Sequence, residues 1–236
     1  MTKLSVNINK VATLRNARGG NVPDVLQFAL DVERFGADGV TVLPRPDERH
    51  IRRSDVYAIA GAIRVEFNIE GYPSPEFLQL IADVRPTQVT LVPDDPSQLT
   101  SNHGWDTLVH RDRLTAITAT LHEAGCRVSI FVDPVPQMVE GAKAVGVDRV
   151  ELYTGPYADK FREDPQAAIE MYRPAAEKAR ELGLGLNAGH DLSLTNLRAL
   201  VQAFPWIDEV SIGHQIIADA LYLGIEETIK QYKAQL

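Results

Sequence analysis

Eight short runs rich in β-branched residues alternate with longer helical patterns, and this alternation limits the possible folds more than any other feature of the chain. The predicted strands are 4–8, 39–43, 65–69, 88–92, 127–131, 149–153, 184–187 and 209–212. The predicted helical segments are 23–35, 53–62, 74–83, 107–124, 135–145, 163–182, 193–203 and 214–233. Proline or an N-capping residue such as Ser74, Asp106 or Ser193 precedes several of the helical segments.

Eight strand–helix units within 236 residues predict an α/β protein, a closed (β/α)8 TIM barrel. A doubly wound open sheet is the alternative, but that fold usually has fewer strands and a glycine-rich phosphate turn after its first strand. The segment NINKVATLRNARGG follows the first strand of this chain instead. Because no linker or low-complexity tract interrupts the pattern, we expect a single domain over residues 1–236.

Composition and the N-terminal sequence limit which partners the protein is expected to bind and in which cellular compartment it is expected to act. The formal net charge of −8 favours neither nucleic acid nor an anionic membrane as a partner. The single cysteine, Cys126, excludes an internal disulfide and fits a reducing compartment. The N-terminal MTKLSVNINK contains no apolar run of signal-peptide length, and no window of the sequence approaches a membrane span. We therefore expect a cytoplasmic protein.

In a TIM barrel, residues that follow the strands meet at the C-terminal mouth, where the active site lies. The residues with useful chemistry at these positions are Asn7, Asn9, Arg45, His50, Glu70, Thr100, Asp133, Glu151, His190, Gly213 and His214. The sequence thus predicts that carboxylates, histidines and basic groups converge on one mouth.

Each candidate also has a purely structural interpretation. Glu70 could be a general base with a raised pKa, or it could cap the next helix. Glu151 faces either the barrel interior or a structural arginine partner, since a period of two cannot fix the register. Asp133 best fits an N-cap of the following helix. The charged loop that holds Arg45 and His50 could be a solvated turn.

Two glycine–histidine pairs follow the last two predicted strands, in NAGHDLSLTN and SIGHQ. Many barrels bind phosphate on these two loops, where glycine permits close approach of the backbone and helix starts offer amide donors. The pairs, Gly189 with His190 and Gly213 with His214, therefore favour a phosphorylated substrate, although packed histidines and turn glycines are the alternative. A metal site is less favoured, because the chain has no His-x-x-x-His pair.

The segments VNINKVATLRNARGG, RHI, NIE, LVP, ELYTGPYAD, LNAGHDLS and SIGHQII, in this order along the whole chain, resemble the pyridoxine 5'-phosphate synthase family of vitamin B6 biosynthesis. The resemblance implies a (β/α)8 barrel with additional short helices and a homo-oligomer, usually an octamer. It also implies condensation of 3-amino-2-oxopropyl phosphate with 1-deoxy-D-xylulose 5-phosphate to pyridoxine 5'-phosphate, phosphate and water. Neither an organic cofactor nor a metal is implied.

The resemblance also assigns roles to individual residues. Glu70 matches the catalytic glutamate, His190 the proton-donating histidine and Glu151 the carboxylate that stabilises the transition state. Residues that match positions holding the amino-ketone phosphate are Asn7, Arg18, Gly213 and His214. Residues that match positions holding the deoxyxylulose phosphate are Arg45, His50 and Thr100. We also expect Asn9, Lys10, Gly189 and Asp191 to be substrate- or phosphate-binding residues.

The chain departs from the family pattern at several of these positions. Asn9 and Lys10 stand where the family has Asp-His, and Asp191 stands where it has glycine. Leu43 stands where it has a catalytic histidine, and leucine cannot transfer a proton. After the fourth strand Thr-Glu-Gly-Gly is replaced by SNHG, which places His103 on a nearby loop, where it could compensate or could simply be solvated.

Three functional hypotheses follow. The first is a divergent pyridoxine 5'-phosphate synthase that routes the missing proton transfer through Lys10, His103 or water. The second is a paralogous enzyme that acts on a related phosphorylated ketone or amine; Lys10 could then form a Schiff base, or it could be an ordinary surface lysine. The third is a non-catalytic phosphometabolite-binding protein.

Overall fold

The protein is a closed barrel of eight parallel strands whose spatial order follows the chain, with β8 returning to pair with β1. The computed structural model describes residues 1–93 and 103–236. The (β/α)8 TIM barrel predicted from the alternation is confirmed. Its eight strand ends meet at one mouth, so the residues after each strand become neighbours.

The strands are β1 (Lys3–Asn7), β2 (Gly39–Val42), β3 (Glu66–Gly71), β4 (Gln88–Leu91), β5 (Arg127–Val132), β6 (Arg149–Tyr153), β7 (Gly185–Gly189) and β8 (Ile207–Ile212). The helices in the described ranges are α1 (Asn9–Asn16), α2 (Val25–Arg34), α3 (Arg53–Ala60), α4 (Pro75–Val84), α5 (Arg111–Glu123), α6 (Pro136–Ala144), α7 (Gly155–Phe161), α8 (Pro165–Glu181), α9 (Leu197–Ala203), α10 (His214–Leu223) and α11 (Ile225–Lys233). The short helices α1 and α7, which follow β1 and β6, are additions to the basic barrel.

The structure corrects several predicted helix boundaries. The segment 214–233 is two helices, because Gly224 has a φ of +75°, a left-handed conformation that interrupts the helix. Ser74 caps α4 as predicted, accepting a hydrogen bond from the amide of Phe77. Asp106 and Ser193, in contrast, lie several residues before α5 and α9, where they hydrogen-bond to amides in the preceding turns.

The outward faces of the strands are apolar and pack against the ring of helices. Buried outward-facing residues include Leu4, Val6, Val40, Val42, Ile69, Val89, Val128, Ile130, Val150, Leu152 and Val210. This shell between sheet and helices is the main hydrophobic core of the domain.

No helix in residues 1–93 and 103–236 combines the length and apolar character required to cross a bilayer.

The interior of the barrel is polar, although branched apolar side chains dominate this region in most TIM barrels. Buried inward-facing residues are Ser5, Thr41, Asn68, Gln88, Thr90, Ser129, Glu151, Asn187, Glu209 and Ser211. Several of them hydrogen-bond across strands, such as Ser5 Oγ with Thr41 Oγ1 at 2.7 Å. The alternation of polar and apolar residues in the strand sequences therefore places polar groups on the axis, directly below the mouth.

Candidate active site

Four polar side chains from four strands form a carboxylate cluster, consisting of Asn7, Glu70, Glu151 and Ser211, at the centre of the mouth. Asn7 Nδ2 lies 3.4 Å from one carboxylate oxygen of Glu70, and Ser211 Oγ lies 3.5 Å from the other. Glu70 is only 6% exposed and Glu151 only 2%. The structure therefore brings together the predicted general base and the second predicted carboxylate, and both face the interior.

Glu151 is held in a setting that favours its neutral form. Burial, together with the negative charges of Glu70 and Glu209, raises the pKa of Glu151 well above its ordinary value. Within the described residues, its Oε2 has no hydrogen-bond partner. A neutral carboxylic acid at this position can donate a hydrogen bond to an oxygen on which negative charge develops. The register also settles the choice left open by the sequence: Glu151 faces the barrel interior, not a structural arginine partner.

Gly189 and His190 continue β7 directly into the mouth. A Cβ on Gly189 would lie 2.6 Å from Glu151 Oε1 and 2.9 Å from the carbonyl oxygen of Ser211, so only glycine permits this approach. The imidazole of His190 contacts two aromatic rings, with centroids 5.3 Å from Phe131 and 5.6 Å from Tyr153. The predicted proton donor thus follows immediately after a residue that touches the carboxylate cluster.

Leu43 belongs to a small apolar cluster at the same mouth. It is 8% exposed and packs with Val92 and Phe131, and Tyr153 lies against the group. Since Phe131 and Tyr153 also contact His190, position 43 lies on the wall that surrounds the imidazole. Leu43 therefore adds an apolar surface to the wall around His190.

A second group, the cationic cluster, consists of Lys10 at the start of α1 and of Arg45, Arg49 and His50 on the loop after β2. Burial and the positive charges of Arg45, Lys10 and Arg49 lower the pKa of His50 to about 4. His50 Nδ1 accepts a hydrogen bond from the amide of Ile51 at 2.9 Å, which leaves the proton of the neutral ring on Nε2. A cluster of this kind can hold an anion through two or more cations and a neutral N–H donor.

The motif ATLRNARG has a structural role that the sequence did not reveal. Arg15 is fully buried, and its two terminal guanidinium nitrogens donate to the carboxylate of Asp55 at 2.6 and 2.9 Å. Asn16 Nδ2 lies within hydrogen-bond distance of the carbonyl oxygens of residues 48, 49 and 50. These contacts fix α1 against the loop that carries His50. The sequence shows only an arginine next to an asparagine, which gives no direction for either side chain.

Asn9 connects the carboxylate cluster with the backbone of Leu43, at the start of the loop after β2. Its amide donates to Asn7 Oδ1 at 3.0 Å, and its own Oδ1 accepts from the amide of Leu43 at 2.9 Å. Gly213 packs against Asn7, since an added Cβ would lie 3.0 Å from the Asn7 Cβ. The segment from the end of β1 to the start of α1 therefore contacts β2, β3 and the start of α10.

The remaining predicted residues lie at the periphery or outside the described ranges. Arg18 is exposed in the turn after α1, and His214 is exposed at the first position of α10. Asp191 is exposed and follows His190 in a left-handed conformation. Thr100 lies outside the described residues. His103 is exposed.

Asp133 was predicted to cap the following helix, and this prediction is wrong. The helix α6 has Val135 at its N-cap, and Asp133 Oδ1 accepts from the amide of Gly104 at 3.2 Å. Asp133 therefore joins the loop after β5 to the end of the loop after β4.

In the two described ranges, no group of three or more His, Cys, Asp or Glu side chains is arranged to hold a metal ion.

Comparison with solved structures identifies the architecture but not the chemistry. The chain aligns with phosphoribosylanthranilate isomerase from Thermotoga maritima with a TM-score of 0.63, over 100% of this chain and 98% of that one, at 14% identity. It aligns with tryptophan synthase from M. tuberculosis with a TM-score of 0.64, over 99% and 93% of the two chains, at 13% identity. At such low identity the likeness supports the barrel fold alone.

Sequence comparison gives a much closer relationship. The chain is 65% identical to pyridoxine 5'-phosphate synthase of Bacteroides fragilis, over 99% of this chain and 98% of the relative. It is 59% identical to the protein of the same name from Porphyromonas gingivalis, over 100% and 99% of the two chains. The sequence profile of the family described as "Pyridoxal phosphate biosynthesis protein PdxJ" matches residues 4–236. Because these matches cover the whole barrel and its mouth, the chain belongs to the PdxJ family.

Proposed function

We propose that the protein is a pyridoxine 5'-phosphate synthase that joins 3-amino-2-oxopropyl phosphate to 1-deoxy-D-xylulose 5-phosphate, releasing pyridoxine 5'-phosphate, phosphate and water. The observation that carries the proposal is the placement of Glu70 and Glu151 beside the His190 loop, at a mouth that also holds the cationic cluster. Extensive identity with relatives of that name supports the same reaction.

The carboxylate cluster supplies the proton transfers that condensation, dehydration and ring closure require. In this proposal Glu70 accepts protons from substrate carbon or nitrogen, and His190 donates protons to departing oxygen. Glu151, kept neutral by burial and by the charges of Glu70 and Glu209, donates a hydrogen bond to the oxygen that becomes negative. The raised pKa of Glu151 thus supports a division of roles in the carboxylate cluster, with Glu70 as the base and Glu151 as the hydrogen-bond donor.

The cationic cluster is the proposed site for the phosphate of the deoxyxylulose substrate. Arg45 and Lys10 supply positive charge, and neutral His50 donates from Nε2. The second phosphate is proposed to bind where Gly213 and His214 begin α10, since the first amides of a helix attract anions.

The experiment that tests the function uses the purified full chain with both phosphorylated substrates and follows pyridoxine 5'-phosphate by chromatography with fluorescence detection. We expect the product to form and the variant Glu70→Gln to reduce kcat by about 10²- to 10⁴-fold, because the amide cannot accept a proton. The variant should still bind each substrate, since glutamine keeps the shape of the side chain. Absence of product above background, alongside measurable binding of either phosphate compound, would exclude the synthase.

Leu43 favours one alternative function. Leu43 is packed among apolar side chains at a position where the family resemblance implies a proton-transfer group. An enzyme that acts on a related phosphorylated ketone or amine is therefore the second candidate. Such an enzyme would bind one of the two synthase substrates, or a close analogue, without forming pyridoxine 5'-phosphate. Trapping with borohydride during turnover separates this candidate further, since a Schiff base on Lys10 would leave a modified peptide for mass spectrometry.

We also propose that the protein acts in the cytoplasm as a homo-oligomer. The buried thiol of Cys126, the single cysteine of the chain, suits a reducing compartment. The support for self-association is the apolar end of α10, where Leu221 is 75% and Tyr222 91% exposed. An exposed apolar surface of this kind is typical of a protein–protein interface.

A further inference from the structure

His190 and Asp191 form a left-handed turn that the backbone alone does not favour. Their φ values are +62° and +54°, and neither residue is glycine. Single left-handed residues occur, but two in succession persist only where surrounding groups fix them. The turn places the imidazole directly after the glycine that touches Glu151. The groups that fix the turn therefore decide where the imidazole lies.

Thr154 fixes the first residue of the turn. It follows β6, is fully buried, and its hydroxyl donates to the carbonyl oxygen of His190 at 2.8 Å. Thr154 is also the N-cap residue of α7, where a threonine hydroxyl normally accepts from an amide of its own helix. Here the side chain makes no capping hydrogen bond, and the hydroxyl is directed to the turn instead.

Asn196 fixes the second residue. It is 5% exposed, and its Nδ2 donates to the carbonyl oxygen of Asp191 at 3.2 Å while its Oδ1 accepts from the amide of Ser193 at 2.8 Å. The backbone of Asn196 is held in turn by Tyr157, whose hydroxyl donates to its carbonyl oxygen at 2.8 Å. Two buried side chains from different loops thus hold the two successive carbonyl groups of the turn.

We infer that Thr154 and Asn196 are positioning residues, which set the direction of the His190 imidazole by fixing the left-handed turn without touching substrate. The inference deepens the proposed function, because it rests on His190 as the proton donor. A side chain displaced by about 1 Å from its productive position can lose about a hundredfold in rate.

The test compares Thr154→Val, which keeps the shape and removes the hydroxyl, with Thr154→Ser, which keeps the hydroxyl. We expect Thr154→Val to lower kcat by about ten- to a hundredfold, with KM for both substrates nearly unchanged. Thr154→Ser should remain close to the parent enzyme. Equal kcat in the valine variant and the parent, or equal impairment of the serine and valine variants, would overturn the inference.

A double-mutant cycle tests whether Thr154 acts through His190. In a His190→Gln background, adding Thr154→Val should produce no further loss of kcat, because the group being positioned is already absent. Additive losses would instead show that Thr154 acts on another part of the protein and would overturn the inference. Full activity of His190→Gln alone would remove the proton-donor role from the proposed function, which is a separate outcome.

A spectroscopic readout keeps the inference testable without turnover. The chain has six histidines, and the ring resonance of His190 is the one lost in His190→Gln. We expect the chemical shift and titration midpoint of this resonance to change in Thr154→Val and to be retained in Thr154→Ser. If Thr154→Val fails to fold, as judged by thermal unfolding, Asn196→Leu replaces it, since leucine keeps the approximate shape, adds no charge and removes the donor to Asp191 together with the acceptor for Ser193. A resonance that is identical in parent and variant would contradict the positioning role.

Discussion

At the scale of single residues, burial at the mouth favours the neutral form of one acidic and one basic side chain. Burial and two neighbouring carboxylates favour the neutral form of Glu151, whereas burial and three neighbouring cations favour the neutral form of His50. In its neutral form, each group carries a proton that it can share with an anionic partner. Glu151 and His50 can therefore stabilise negative charge on a ligand as neutral hydrogen-bond donors.

Leu43 provides the first residue-scale prediction. We expect Leu43→His to raise kcat for pyridoxine 5'-phosphate by about 10²-fold or more, because position 43 lies on the wall around His190 and histidine would supply a general acid or base there. The free energy of unfolding should fall by about 1–3 kcal/mol, because an imidazole replaces a leucine among apolar side chains. Product formation and urea unfolding measure the two effects.

Leu43→Asn is the matched control, since asparagine is polar but transfers no proton. Its kcat should stay near that of the parent while its stability falls by a similar amount. An increase in kcat for asparagine equal to that for histidine would show that polarity, rather than proton transfer, limits the parent enzyme. No increase for either would mean that the chain already supplies the proton by another route.

The position of a residue could be predicted from sequence where the fold itself determines it. Once the eight strands were assigned, Glu70 and Glu151 had to lie near the mouth, and the structure places them in one cluster. Thr154 could not be found in this way, because its role depends on the left-handed turn at His190, and that turn is not visible in the pattern of strands and helices. Contacts made between loops are set by tertiary packing rather than by local sequence.

At the scale of elements, strand positions were predictable and several helix ends were not. The period-two runs gave all eight strands because a buried strand needs apolar residues on its outer face. The helix α1 was missed because its sequence NKVATLRN follows a strand without a capping side chain. α7 was missed for a related reason, since Thr154 does not cap it and its seven residues are too few for a clear helical period.

The helix α10 gives a prediction about self-association. Replacing Leu221 and Tyr222 with glutamate should reduce the mass measured by sedimentation equilibrium to that of a smaller assembly, because two charges would enter an apolar contact. Gln166→Glu, which adds a charge at an exposed position of α8, is the control and should leave the mass unchanged. A monomeric parent protein at all concentrations would contradict the proposal, and so would an unchanged mass in the double variant.

At the scale of the whole molecule, the two ends of the barrel carry different charge arrangements. The end opposite the mouth holds an ionic layer made of Lys3, Glu66, Arg127, Arg149 and Glu209. Glu66 binds Lys3 at 2.6 Å and Arg127 at 2.8 Å, whereas Glu209 lies 3.8 Å from Arg149 and 4.0 Å from Arg127. The two carboxylates therefore have unequal partners, although Arg127 contacts both.

The ionic layer makes the stability of the whole fold depend on pH in two opposite ways. Burial raises the pKa of Glu209 to about 7; the charge of Arg149 opposes this rise and that of Glu66 adds to it. Burial would also raise the pKa of Glu66, but hydrogen bonds from Arg127 and Lys3 lower it to about 2. The folded state therefore binds a proton on Glu209 more tightly than the unfolded chain does, and a proton on Glu66 less tightly.

We predict that Glu209→Gln removes a loss of stability that the parent protein shows as pH rises. The stabilising contribution of protonated Glu209 is complete below the unfolded pKa, near 4.5, and disappears as pH rises through about 7, a change on the order of 3 kcal/mol in the free energy of unfolding. Glutamine stays neutral throughout, so the parent should lose stability relative to this variant as pH rises from 4.5 to about 7.

Glu66→Gln is the opposite control, because Glu66 stabilises the fold above about pH 4.5 and loses that contribution as pH falls towards 2. Urea unfolding from pH 4.5 to 8 measures the difference for Glu209→Gln, and the same measurement from pH 4.5 down to 2 measures that for Glu66→Gln. Parallel curves for the parent and Glu209→Gln would refute the assignment of the buried proton to Glu209.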